Sequence, residues 1–287
     1  MPLRDLYATG KRAISFELFP PKTAQGETAL YRHVEQLIEF RPSFITCTYG
    51  AGGSTRDKTM EVVEQVKQRF DVPVASHLTC VGSTVGQLRQ YLQRARDAGV
   101  DYIVALRGDP PRGEQSFQAV QGGLRYANEL VDLIQAEFSE FGVAVAGYPE
   151  KHQEAPSLEV DLQNLKRKVD AGADVVLTQL FYNNGDFFRF RDLCQQHEIT
   201  VPLVPGILPV TNLGQIQRIT SLCAAQLPHD FVSDLKRQED ADWQFRVGTE
   251  FAAAQIRELL DAGVPGVHFY VLNKSKATAA VLKAVGL

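Results

Sequence analysis

Apolar positions along the chain follow two alternating patterns. Short apolar runs recur at 13–17, 43–48, 73–79, 101–107, 143–148, 174–180, 202–206 and 266–271. Runs of this length read as strands buried on both faces of a parallel sheet. Between them, apolar residues recur at spacings of three and four: Leu30, Val34, Leu37 and Ile38; Leu88, Tyr91, Leu92 and Ala95; Leu158, Leu162, Leu165 and Val169. That spacing predicts amphipathic helices. The joins repeat. Asp97-Ala-Gly99, Asp170-Ala-Gly172 and Asp261-Ala-Gly263 each close a helical stretch just before an apolar run. A glycine there supplies the left-handed helix cap. Helix, cap and strand make one unit of an α/β fold. Eight such units in 287 residues predict a (β/α)8 TIM barrel with extra helices, as one catalytic domain over 1–287.

The residues left over sharpen this picture. Segments 108–122 and 149–157 follow strands four and five, where the active-site loops of a barrel belong, and 228–245 predicts an extra helix on the last crossover. A doubly wound sheet is the competing fold, supported by Gly50-Ala-Gly52 between a strand and a helix. Thr55 stands where the third glycine of G-x-G-x-x-G would fall, which breaks the dinucleotide fingerprint.

Polar residues gather at the carboxyl ends of the predicted strands: Glu17, Thr48 and Tyr49, His77, Arg107-Gly-Asp109, Tyr148, Gln179, then Asn273 and Lys274. In a barrel that rim carries the chemistry. Glu17 stands out, because it lies in the otherwise apolar run Ala13–Pro21, and burial there is expected to raise its pKa toward that of a general acid. An exposed strand end is the competing explanation. The set also narrows the reaction. The strand ends carry no lysine for a Schiff base, no Ser-His-Asp set, and no metal-ligand spacing, with His77 and His268 isolated in the sequence. What remains suits an organic cofactor that carries the hard chemistry itself. Asp161, Asn164 and Arg167 or Lys168 share a helix face, read either as a solvated polar face or as a strip for ribose and phosphate, with the loop of Tyr126 and Ala127 as the opposite wall.

Composition excludes some classes. A net charge of −4 without a Lys/Arg block argues against nucleic acid as a partner. The four cysteines show neither C-x-x-C nor metal spacing and read as reduced thiols. The amino terminus lacks an apolar signal core, and no stretch approaches the roughly 20 apolar residues of a membrane span, so a cytoplasmic protein is expected.

Together the motifs Ser15-Phe-Glu-Leu-Phe-Pro-Pro-Lys22, Thr48-Tyr-Gly-Ala51, His77-Leu-Thr-Cys80, Ala105-Leu-Arg-Gly-Asp109, Tyr148-Pro-Glu150, Asn164-Leu-Lys-Arg-Lys168, Thr178-Gln179, Pro205-Gly-Ile-Leu-Pro209 and His268-Phe-Tyr270 resemble those of methylenetetrahydrofolate reductases, in order and from about Ala13 to the carboxyl terminus. The resemblance implies a bacterial-type flavoprotein barrel that reduces 5,10-methylenetetrahydrofolate to 5-methyltetrahydrofolate, feeding methionine synthesis. NADH or NADPH would supply the electrons by ping-pong transfer through FAD. Glu17 would be the general acid that opens the bridging carbon to an iminium, and Asp109 would contact the pterin near the flavin. Gln179 would hold both substrates in turn, and Gln215 and Lys274 match further substrate positions. Cofactor contacts would be Thr48 for the nicotinamide, and for FAD Tyr49, Ala51, His77, Arg107, Gly108, Asp109, Tyr126, Ala127, Tyr148, His152, Ala155, Asp161, Asn164, Arg167 and Lys168. Lys274 departs from the arginine common among relatives, and the two are not equivalent toward a planar carboxylate. The resemblance further implies a homo-oligomer. Because the chain ends about where the barrel closes, inhibition by S-adenosylmethionine, which acts through an added domain in animal-type members, is not expected. A ferredoxin- or partner-fed reductase subunit is the alternative. A non-catalytic pterin-binding barrel would not need Glu17, Asp109 and Gln179 together, and a lyase or aldolase is disfavoured by the missing lysine.

Overall fold

The structure is a computed structural model that describes residues 2–8, 10, 12–49, 55–110 and 117–287. Its strands are β1 (Ala13–Leu18), β2 (Phe44–Cys47), β3 (Val74–Thr79), β4 (Tyr102–Leu106), β5 (Gly142–Gly147), β6 (Val175–Thr178), β7 (Leu203–Val204), β8 (Gly206–Ile207) and β9 (Gly266–Tyr270). Its helices are α1 (Asp5–Ala8), α2 (Ala24–Ile38), α3 (Arg56–Phe70), α4 (Val85–Asp97), α5 (Ala127–Glu137), α6 (Leu158–Asp170), α7 (Asn184–Gln196), α8 (Leu213–Cys223), α9 (His229–Lys236), α10 (Ala241–Asp261) and α11 (Ser275–Val285).

Every strand pair is parallel, in the order β7-β6-β5-β4-β3-β2-β1-β9-β8. The two ends of that order are neighbours in the chain, since only Pro205 separates β7 from β8. β7 pairs with β6 and β8 pairs with β9, so the interrupted seventh strand closes the ring. This is the expected barrel, with residues 202–206 resolved into two short ladders because proline donates no backbone hydrogen bond.

The repeated Asp-Ala-Gly joins act as expected. Ala98, Ala171 and Ala262 cap their helices, and Gly99, Gly172 and Gly263 follow at φ values of +70°, +111° and +81°. The aspartate two residues after two of these glycines has a structural use: Asp101 and Asp174 accept the backbone N–H of Val74 and Val143, tying the starts of adjacent strands together at 2.9 and 2.8 Å.

Alternation along the strands builds two cores. Phe16, Leu18, Ile45, Leu78, Ile103, Val143, Val176, Val267 and Phe269 face outward and pack with Leu30, Val34, Leu88 and Leu92 of the helices. Ala13, Phe44, Ala75, Tyr102, Ala144, Val175 and Val204 face inward and fill one end of the barrel. Leu3 and Tyr7 join this inner cluster, so the short helix α1, which the periodicity did not reveal, plugs that end. The segment 228–245 forms α9 and the first turn of α10, covering a satellite cluster of Tyr182, Leu208, Phe231 and Leu235. Among the described residues no helix is long and apolar enough to cross a membrane.

The closing strand tolerates no added bulk. A Cβ on Gly206 would lie 2.2 Å from the carbonyl oxygen of Thr178 and 2.7 Å from the Tyr270 ring. Gly206→Ala is expected to lower unfolding free energy by about 2–3 kcal/mol in urea denaturation, through strain at the ring closure.

Candidate active site

The inward positions that the inner core does not fill open into a cavity of about 600 Å3 at the carboxyl ends of the strands. Its walls follow steps of two residues: Thr48 after β2, His77 and Thr79 from β3, Val104 and Leu106 from β4, Ala146 from β5 and Tyr148 just after it, Leu177 from β6 and Gln179 just after it, and Tyr270 from β9 with Leu272 beyond it. Glu17 projects from β1 into the same space.

Glu17 is buried, and two imidazoles face it. Nε2 of His268 and Nε2 of His77 each lie 3.3 Å from Glu17 Oε2. The His268 contact has hydrogen-bond geometry. Nδ1 of His268 meets Ser15 Oγ at 2.7 Å. A carboxylate only accepts, so the network assigns the Nε2 proton to His268, and the Ser15 hydroxyl donates to Nδ1. The His77 contact is off-axis, which leaves His77 Nε2 without a hydrogen-bond partner. Burial is the largest single influence on Glu17 and raises its pKa, but the two imidazoles together outweigh it and hold the carboxyl well below its usual 4.5. This corrects the expectation of a raised pKa. It also corrects the view of His77 and His268 as isolated, since both converge on one carboxylate. Nor is Glu17 an exposed strand end.

The ends of β1 and β9 are pinned beside this group. Phe19 donates its N–H to Asn273 Oδ1 at 2.9 Å, and Asn273 Nδ2 donates back to the Phe19 carbonyl at 2.8 Å. Leu272 and Asn273 take positive φ values of 47° and 55° to make this turn. On the opposite wall, Gln179 Oε1 accepts the Leu180 N–H at 2.9 Å, which orients its amide. Asp109 is exposed at the mouth. Tyr49 OH accepts from Arg56 Nε at 2.7 Å. Arg107 makes a bidentate ion pair with Glu154, with both contacts at 2.7 Å. Tyr148 meets the His152 ring edge-on, with centroids 4.6 Å apart.

A family model described as methylenetetrahydrofolate reductase matches residues 2–286, almost the whole length. The chain belongs to the methylenetetrahydrofolate reductase family. Over 99% of its length it is 36% identical to the methylenetetrahydrofolate reductase (NADH) 1 of Arabidopsis thaliana, of which it covers 50%. Over 97% of its length it is 37% identical to the 5,10-methylenetetrahydrofolate reductase of Escherichia coli (strain K12), of which it covers 92%. The chain thus spans about half the length of the plant relatives it matches. The barrel recurs in a solved structure of a Clostridium thermocellum protein, with a TM-score of 0.64 and 16% identity over 99% of this chain and 97% of that one.

Ten of the residues expected from the methylenetetrahydrofolate reductase motifs line the cavity: Glu17, Thr48, Tyr49, His77, Arg107, Gly108, Asp109, Tyr148, His152 and Gln179. Others stand behind its wall. Asp161 accepts the His152 N–H at 2.8 Å, and Lys168 reaches inward to donate to the carbonyl of Ala146. Burial of its ammonium brings Lys168 down to about 8. Asn164 and Arg167 bond to each other at 2.8 Å on the exposed face of α6. Tyr126 is an exposed helix cap, with Ala127 beginning α5; Ala155 accepts from Lys151 within its loop. Gln215 and Lys274 are exposed on α8 and at the start of α11, outside the cavity lining. Ala51 lies outside the described residues.

The motifs do not single out several groups that line or adjoin this cavity. Ser15 stands in its motif with no role, and His268 is weighed only as an isolated metal-ligand candidate. Thr79 and Tyr270 were not considered as site residues, nor was Glu154. Counting in twos from Glu17, His77 and His268 would have found Ser15, Thr79 and Tyr270, because inward side chains alternate along a strand. No local signal marks Ile219, Leu222 and Cys223 of α8, which complete the apolar wall.

The electrostatics of Glu17 make a pH-dependent prediction. A folded-state pKa below the usual 4.5 means that ionised Glu17 stabilises the fold above about pH 4.5, and that this contribution is lost as pH falls through the folded value. The stability difference between the wild type and Glu17→Gln, measured in urea, is therefore expected to be larger at about pH 6 than at about pH 3.

Proposed function

We propose that this chain reduces 5,10-methylenetetrahydrofolate to 5-methyltetrahydrofolate with electrons from NADH or NADPH, using FAD as its resident cofactor. The observation that carries the reading is Glu17, a buried carboxylate sharing one cavity with Asp109 and Gln179 at the strand ends of a barrel of this family. The residues fit a flavin. The cavity volume, about 600 Å3, lies within the range of small-molecule sites. His77 Nε2 and Thr79 Oγ1 are buried there without hydrogen-bond partners, which suits a polar heterocycle. Tyr49, His77, Arg107, Gly108, Tyr148 and His152 would hold it, with Lys168 and Arg167 toward its phosphates. When bound, FAD supplies the hydride relay between the nicotinamide and the folate.

The chain's own residues then handle protons and positions. Protonating one nitrogen of the folate's methylene bridge turns it into a leaving group. The lone pair of the other nitrogen forms the C=N bond of the iminium. Glu17 delivers that proton, yet its carboxyl is held ionised by two imidazoles. The donor is therefore the Glu17–His77–His268 group as a unit, in which a proton taken up from solvent is shared between the carboxylate and the imidazoles it meets at 3.3 Å. Ser15 keeps the His268 ring oriented. Asp109 at the mouth meets the pterin, and the Gln179 amide, with both donor and acceptor, serves the two substrates in turn.

The protein is expected to purify yellow and to release FAD on heating. A colourless protein that gains no flavin on incubation would overturn the reading. In stopped-flow measurements Glu17→Gln is expected to keep flavin reduction by NAD(P)H while folate reduction falls roughly 10²–10⁴-fold. Equal loss of both half-reactions would remove Glu17 from the acid role.

A further inference from the structure

The guanidinium of Arg107 is held on three sides. Nη1 and Nη2 each donate to one carboxylate oxygen of Glu154 at 2.7 Å. Nε donates to the Gly108 carbonyl at 3.1 Å. The Phe117 ring lies with its centroid 5.1 Å from the guanidinium carbon. Arg107 follows β4 and lines the cavity, whereas Glu154 belongs to the loop after β5. The pair therefore bridges two neighbouring loops at the cavity rim. The Glu154 side is braced from behind. Its N–H donates to His152 Nδ1 at 3.1 Å, and the His152 N–H donates to the Asp161 carboxylate at 2.8 Å. Lys151 folds back onto the carbonyls of His152 and Ala155.

The location of the pair decides what it can do. The Arg107 and Glu154 side chains are 22% and 40% exposed. Bidentate geometry makes the contact directional. Exposure to water keeps the cost of opening it small and makes it sensitive to salt. A buried pair would be a fixed part of the wall; this one can open and close.

We propose that Glu154 is a positioning residue for Arg107, whose ion pair straps the loop after β5 to the loop after β4 and sets how fast the flavin leaves the cavity. This rests on the flavin reading above. Arg107 supplies the contact; Glu154 holds it in place and closes the rim. Release then requires the strap to open, so any weakening of the pair speeds release.

The test loads the protein with FAD, dilutes it, and follows release by the rise of free-flavin fluorescence at low and high NaCl. Glu154→Gln keeps the size of the side chain and removes its charge. It is expected to release FAD about three- to tenfold faster than wild type at low salt, and to show a weaker acceleration by salt. Glu154→Asp, which keeps the charge, is expected to recover much of the salt response. The thermal midpoint of the flavin-free protein is expected to match wild type in both variants, since the pair is partly exposed. Release by Glu154→Gln at the wild-type rate and salt response would overturn the strap. Slower release would also overturn it, because Glu154 would then be competing with the cofactor for Arg107. Wild-type protein that takes up no FAD would overturn the flavin reading along with it, whereas normal uptake with unaltered release sinks the strap alone.

Discussion

Pro205 has no N–H to give toward β9, and the Gly206 N–H goes to the Thr178 hydroxyl instead of extending the pairing with β6, so residues 203–207 form two short ladders. Leu203–Val204 pairs with β6 and Gly206–Ile207 with β9, and the ring closes through both halves. The closure is tight: Gly206 donates to Thr178 Oγ1 at 2.9 Å, His268 donates its N–H to the Pro205 carbonyl at 2.9 Å, and Tyr270 OH donates to the Thr178 carbonyl at 2.8 Å. Because the ring closes there, β9 lies against β1, with Ser15 opposite His268 and Glu17 opposite Tyr270. The Glu17–His268 hydrogen bond joins residues 251 positions apart.

That register makes a buried carboxylate tolerable. An isolated charge inside a barrel would cost several kcal/mol. Two imidazoles and the Ser15 hydroxyl form a connected polar group around it instead. The apolar inner cluster of Phe44, Tyr102 and Val204, sealed by Leu3 and Tyr7, fills the opposite end of the barrel. One end is thus packed for stability, while the other keeps polar side chains converging on an open cavity. The rim is braced in its own way, by the positive φ values of Lys151, Leu272 and Asn273 and by the ion pair between Arg107 and Glu154.

Much of the barrel was readable along the chain, because it rests on local rules. A fully buried parallel strand must be apolar almost throughout, and a helix laid against it must repeat its apolar residues every three or four positions. The glycine caps marked the joins directly. What escaped was α1, too short for a period to register, and the split of the seventh strand, although Pro205 was in plain view. The rim was readable in the same way: a polar residue ending an apolar run is conspicuous, and Glu17, Thr48, His77, Asp109 and Gln179 all line the cavity.

Sequence alone therefore determined the element types, their order and the residues at the strand ends, since each depends on neighbours a few positions away. It determined the family as well, through motifs kept in order. Only the tertiary structure decided the electrostatic state of the central carboxylate. Burial, which is foreseeable from an apolar run, raises the pKa of Glu17; the imidazoles of His77 and His268, which come from other strands, lower it further than burial raises it. Which of these prevails depends on distances near 3 Å between distant parts of the chain, and those exist only once the ring has closed.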